Sequence, residues 1–347
     1  MKANCRVNNL DSGHRGLSRF IAAVLFAFCL VPNPTAWAQQ AAITWKLHGD
    51  QAATFWWSEE LARFAKAMEG RTNGRMKLEF YPAASLGVAP QAILAPVRAG
   101  SIEMAEFVAS YVTSEAPALT VLGLPMIATS VEHGLRIMNV VRGDLEADLA
   151  QKHDLVLLAT LSSSPLQLFL AKNEFRNMDS FKGLRIRTLG PDQELFIRAL
   201  GATPVNVPIA EMVSSVATNR VDGVIAGTQY FVTQKLSQYG PNLLAWNAIL
   251  GPGYLVVGKT KWQSLPADLQ QAVMGAAREF EQQVWKRAAS LEAEMQTQAT
   301  AQGFKIIRLS DSDRSALVGK ARDAWTGWAQ RGGSLSKRLM DAAMSTK

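Results

Sequence analysis

Two hydrophobic periods alternate along this chain. Short apolar runs at Ile43–His48, Met76–Tyr81 and Met104–Val108 read as strands. Between the first two, Trp57, Leu61, Phe64 and Met68 recur at helical spacing, which predicts a helix from about Phe55 to Glu69. A second helix is predicted over Pro90–Ala99, so the opening reads β-α-β-α-β. An apolar segment, Thr120–Ile127, and a helix over Val131–Lys152 follow. Strands Leu155–Leu161 and Leu166–Ala171 flank Ser162–Ser164, a serine run suited to a hinge. The stretch Phe181–Ala226 repeats the β-α-β-α-β plan, with strands at Leu184–Arg187, near Val205 and at Val224–Ala226, and helices ending at Gly201 and Asn219. Strands Leu243–Leu250 and Tyr254–Gly258 flank Gly251-Pro252-Gly253, a second crossover. Leu265-Pro266 opens a proline-free helix over Ala267–Ala301, which at 1.5 Å per residue spans roughly 50 Å and is expected to bridge two lobes. Strand Lys305–Leu309 and helices from about Asp311 to Met340 close the chain. The expected fold is α/β, with residues 39–163 plus 253–290 in one lobe and 164–252 plus 291–347 in the other. Two such lobes bury a small ligand between them.

Composition changes this picture at the start of the chain. An apolar fraction of 48% with 19% charged residues is that of a globular protein with a sizeable core. Residues 1–38 stand apart from that core. Lys2, Arg6, Arg15 and Arg19 precede the apolar run Phe20–Val31, which is too short to span a bilayer, and Ala36-Trp37-Ala38 supplies small residues for cleavage. We read 1–38 as a cleaved signal peptide. Its removal takes four basic residues and Asp11, so the net charge of +7 falls to +4 over 309 residues. No dense Lys/Arg run remains, and no nucleic-acid partner is expected. Cys5 and Cys29 both lie in the removed segment, so the exported chain is expected to rely on core burial without disulfides.

The chain carries few signs of catalysis. His48, His133 and His153 are scattered, and neither a G-x-S-x-G elbow nor a glycine-rich phosphate loop occurs. No enzyme activity, metal or cofactor is expected. Arg187 draws attention because it ends a strand of the central β-α-β-α-β unit, and ligands gather beyond the carboxyl ends of strands in open α/β sheets. Its guanidinium is planar, permanently charged and matched to a carboxylate. Arg185 shares its face of the strand but sits deeper, so it ranks lower. Further candidates for the cleft are Asp50 in the first βα loop, Trp56 on the first helix, Phe107 at a strand end, and Thr228, Gln229 and Tyr230 after another. Each has an ordinary structural reading beside the functional one. Glu211 reads as an acid at a helix start.

Several short patterns occur in a particular order. They are Phe64 to Gly74 with Tyr81-Pro82 and Leu86-Gly87; Gly100 with Ile102-Glu103-Met104; Lys182-Gly183-Leu184-Arg185-Ile186-Arg187; Gly201-Ala202-Thr203-Pro204 with Glu211; Asn219 to Gly223; and Trp262 with Leu265-Pro266. Together, over nearly all of the chain beyond residue 38, they resemble the DctP-type extracytoplasmic solute receptors of TRAP transporters. The resemblance implies a periplasmic-binding-protein clamshell that captures a small organic acid in the periplasm. It implies delivery to a TRAP permease with small and large membrane subunits, driven by an ion gradient, and a ligand carboxylate held by Arg187. Positions where some members carry further polar ligand groups fall here on Gln167, Val108 and Ala226. Gln167 stays a candidate for the cleft wall, and the expected ligand is a monocarboxylate with an apolar or aromatic body. A monomer is expected, with a dimer as the alternative. The competing readings are a binding protein of an ABC importer, a secreted hydrolase, or a sensing subunit.

Overall fold

The computed structural model describes residues 42–128 and 130–346; the expected signal peptide lies outside them. Two mixed sheets organise the chain. In order, the elements are β1 (Ile43–His48), α1 (Trp56–Arg71), β2 (Met76–Tyr81), α2 (Leu94–Arg98), β3 (Met104–Val108), α3 (Val131–Lys152) and β4 (Leu155–Ser162). Next come β5 (Leu166–Leu170), β6 (Arg185–Thr188), α4 (Pro191–Ala199), β7 (Thr203–Asn206), α5 (Met212–Ala217), β8 (Gly223–Gly227), α6 (Thr228–Thr233) and β9 (Asn242–Ile249). The chain ends with β10 (Pro252–Gly258), α7 (Lys259–Gln263), α8 (Ala267–Ala301), β11 (Lys305–Arg308) and α9 (Asp311–Ser345). The first sheet runs β2-β1-β3-β10-β4 and the second β11-β9-β5-β8-β6-β7. Both carry helices, so their central strands are buried on both faces and read as nearly unbroken apolar runs, as in β10.

Local chemistry explains most element ends. Ser130 caps α3 by accepting from the His133 N–H at 3.1 Å. Pro191 opens α4, and Asp192 and Glu194 lie in its first turn, where the helix dipole favours acids. The helix expected over 90–99 is a 3-10 turn, Pro90–Ala92, followed by the short α2, which itself contains Pro96. Pro96 cannot donate to the Ala92 carbonyl, which separates the two pieces, and Gly100, at a φ of 73°, ends α2. The segment expected as one helix from Pro208 is a 3-10 turn followed by α5. Thr120–Ile127 overlaps a 3-10 helix, Pro117–Gly123. α9 runs five residues past Met340 but breaks at Gly333, whose φ of 65° is natural only for glycine.

The chain crosses between the sheets after β4 and after β9, and the two crossings are tied side by side. The Ser163 N–H donates to the Gly251 carbonyl at 2.9 Å, and the Gly251 N–H donates to Ser163 Oγ at 2.9 Å. A Cβ at Gly251 would sit 2.8 Å from Ser163 Oγ, so this tie requires glycine. α8 braces both halves. On the first, the Trp285 indole donates to the Thr160 carbonyl at 3.0 Å and Glu281 accepts from the Thr160 N–H at 3.0 Å. Two turns beyond Trp285, Glu292 accepts from Thr228 beside the second sheet at 2.7 Å. α9 adds a strap: Trp328 donates to Thr120 at 2.8 Å, Trp325 donates to the Pro125 carbonyl at 2.7 Å, and Arg331 pairs with Asp192 of α4. In the core beneath it, Trp246 lies between Phe181 and Phe196, with ring centroids 6.1 and 5.9 Å away. Fully burying such side chains contributes roughly 1.5–3 kcal/mol each.

Candidate functional site

A cavity lies between the sheets, beside the Ser163–Gly251 tie. It measures ≈ 70 Å³, several times the roughly 10–15 Å³ that one water needs. From the first half, Gln51, Phe55, Trp57, Val108 and Tyr111 form its wall. Arg187, Leu189, Gln193, Ala226 and Tyr230 face them from the second. Most of this surface is apolar or aromatic, as in small-molecule sites.

Arg187 is the only formal charge in the lining. It is fully buried at the end of β6. Two of its nitrogens are held by the scaffold: Nε donates to the Val207 carbonyl at 2.8 Å and Nη1 to the Ile225 carbonyl at 2.9 Å. Its Nη2 has no partner among the described residues. Burial pulls its pKa down to about 10, opposed by the nearby Tyr111 and Tyr230, so it stays charged at neutral pH. A buried cation with a free donor and no paired acid is costly, and an anion in the cavity would offset that cost.

The two halves also touch across the cavity. Tyr230 stacks on Phe55 with centroids 5.2 Å apart and planes 20° from parallel. Its hydroxyl donates to Gln51 Oε1 at 2.5 Å. Burial raises the Tyr230 pKa strongly, which keeps the phenol protonated and able to donate.

Of the positions expected from sequence at the cleft, Arg187, Tyr230, Val108 and Ala226 line the cavity, and Gln167, Asp50, Phe107, Trp56, Thr228 and Gln229 do not. Each of the six has a neighbour in sequence that does. Gln167 fills an irregularity between β5 and β9, where Asn247 takes a φ of 48°. Its Oε1 accepts from the Asn247 N–H at 3.1 Å, and its Nε2 donates to Asn247 Oδ1 at 2.6 Å and Glu292 Oε1 at 3.0 Å. The side chain thus restores hydrogen bonds that the bulge removes from the ladder, and Leu166 faces the cavity instead. Asp50 is buried as a brace: Oδ2 accepts from the Val108 N–H at 3.0 Å and Oδ1 lies 3.1 Å from His48 Nε2, while Gln51 reaches the cavity. Phe107 packs on Tyr254 in the core, 6.0 Å between centroids, and strand alternation gives Val108 to the wall. Trp56 is buried away from the lining, and Trp57 takes the place expected of it. Thr228 is spent on Glu292, and Gln229 is half-buried outside the lining, between Thr228 and Tyr230.

Sequence reasoning missed Phe55, Trp57, Tyr111 and Gln193. The only signal for the first two was an aromatic triplet at a helix start. For Tyr111 it was a tyrosine three residues past a strand end. Beneath the wall, Glu106 is fully buried, and its Oε2 accepts from the Asp50 N–H at 3.1 Å. Burial, and secondarily the Asp50 charge, hold its pKa well above the usual carboxylate range.

Residues 49–331 match the family model described as bacterial extracellular solute-binding protein, family 7, DctP. The chain is 25% identical over 289 residues to the 2,3-diketo-L-gulonate-binding periplasmic protein YiaO of Escherichia coli strain K12, covering 80% of this chain and 85% of that one. It is also similar in structure to DctP7, a Bordetella pertussis extracytoplasmic solute receptor binding pyroglutamic acid. The TM-score is 0.81 at 20% identity, over 87% of this chain and 99% of that one. DctP6 of the same organism, also binding pyroglutamic acid, gives a TM-score of 0.80 at 23% identity, over 86% and 99%.

Proposed function

Given that the chain belongs to the family 7 bacterial extracellular solute-binding proteins, the DctP family of TRAP solute receptors, we propose that it captures a small monocarboxylate between its two halves. The family consists of transporter receptors rather than enzymes, and its members work with TRAP permeases. One observation carries the ligand class: a single buried guanidinium, with Nη2 free, in a cavity that is otherwise apolar or uncharged. A second carboxylate on the ligand would meet no second charge. Relatives that bind pyroglutamic acid and 2,3-diketo-L-gulonate support an organic acid.

Arg187 clamps the carboxylate, while Gln167, Asp50 and Thr228 brace the strand ends that shape the cavity. The working halves are 39–163 with 253–290 and 164–252 with 291–347. Ligand held between them stabilises the closed arrangement in proportion to its extra contacts there. The receptor is a monomer, exported to the periplasm by loss of residues 1–38. It passes its cargo to a permease of one small and one large membrane subunit. No helix among the described residues is long and apolar enough to cross a membrane.

The test is a thermal-shift screen of residues 39–347 against monocarboxylates, dicarboxylates, sugars and neutral amides. A rise in melting temperature confined to monocarboxylates is expected. Stabilisation by neutral sugars alone sinks the reading, and turnover of a bound ester would move the chain to the hydrolases.

A further inference from the structure

Arg187 belongs to one half of the molecule, so a carboxylate bound to it alone would gain nothing from closure. Closure needs a ligand contact from the facing wall. On that wall, Gln51, Trp57, Ser110 and Tyr111 carry polar groups and line the same cavity. Gln51 already accepts from Tyr230. Ser110 is the shorter side chain and sits one residue before Tyr111. Tyr111 ends the 3-10 turn Ala109–Tyr111 that follows β3, is half-buried, and makes no hydrogen bond through its hydroxyl among the described residues.

The two cavity tyrosines therefore differ. The Tyr230 hydroxyl is committed to Gln51, whereas that of Tyr111 has no partner among the described residues. We infer that Tyr111 is a second carboxylate-binding residue, donating its phenolic proton to the ligand oxygen that Arg187 Nη2 holds from the opposite half. Tyr111 and Arg187 line the same cavity from opposite halves, and burial raises the Tyr111 pKa, so the phenol keeps its proton. A phenol donating to a carboxylate makes a short, charge-assisted bond. Because the pair spans the cavity, the carboxylate links the halves, and a neutral ligand of the same shape would link them less. This inference rests on the carboxylate reading of the site.

The experiment measures calorimetric affinities of residues 39–347 for pyroglutamate, 4-methyl-2-oxopentanoate and phenylacetate, and for the primary amides of the acids that bind. Wild type, Tyr111→Phe and Arg187→Met are compared. We expect Tyr111→Phe to weaken binding of the acid about ten- to a hundredfold and to leave the amide within about twofold. Arg187→Met should abolish acid binding. An unchanged acid affinity in Tyr111→Phe, or equal losses for acid and amide, overturns the role of Tyr111 while the clamp at Arg187 stands. Wild-type affinity in Arg187→Met, or no acid bound by the wild type, overturns the carboxylate reading and Tyr111 with it.

Discussion

The two ends of β6 carry the same side chain and do opposite things with it. At the entry, Arg185 is 43% exposed and fully engaged: Nε and Nη2 reach Asp222 at 2.9 and 2.7 Å, and its N–H adds a third bond at 2.9 Å. At the exit, Arg187 is fully buried, with two nitrogens on backbone carbonyls and one on none. Both point from the same face of the strand. The arginine in water has its counter-ion, and the arginine out of water lacks one. That inversion of the usual placement of charge is what the proposed carboxylate at Arg187 would resolve.

The largest effect should come from removing the exit charge. Arg187→Met keeps much of the buried volume and should cost on the order of a hundredfold or more in carboxylate affinity, with the fold retained by circular dichroism. Undiminished binding by calorimetry would erase the distinction between the two ends. An intermediate effect tests whether burial without a partner governs acids as it does this cation. The Glu106 pKa is raised by burial and by Asp50, so the folded state holds the proton more tightly than the unfolded one. Its contribution is full below the ordinary glutamate range and is lost as pH rises through the raised value. Urea unfolding should show wild type losing stability relative to Glu106→Gln with rising pH, at up to about 1.4 kcal/mol per pH unit within that window. Parallel curves for the two proteins would remove Glu106 from the argument. The smallest effect belongs to the entry end. Arg185→Ala should leave affinity within about twofold, since exposed ion pairs contribute little. A large loss of binding there would mean that the two arginines act together.

Architecture was legible because it rests on long periodic signals. α3 and α8 have the bounds that periodicity and the flanking serine and proline predict. The near misses at the cavity have a different origin. β3 (MAEFV) and β5 (LQLFL) are buried on both faces, and their polar residues, Glu106 and Gln167, are spent on internal hydrogen bonds, so composition does not tell which parity faces the cleft. A one-residue error then moves the expectation to the other side, from Val108 to Phe107 and from Leu166 to Gln167. Trp56 and Trp57 pose the helical form of the same problem, since the rotation of α1 about its axis is set by packing. Gln167 was drawn off by a bulge in β9, a long-range event that no local pattern announces. Arg187 was found because it stands at the carboxyl end of its strand, where ligands gather in open sheets, a cue independent of which face is buried.

The tie between Ser163 and Gly251 does a second service, because both residues also line the cavity. When two plates turn about a pin, points move in proportion to their distance from it. The inner end of the chamber, at the pin, therefore keeps nearly its full shape whether the plates are apart or together. Under the proposed closure, the walls beside the tie would offer a solute nearly the same shape before and after the halves come together.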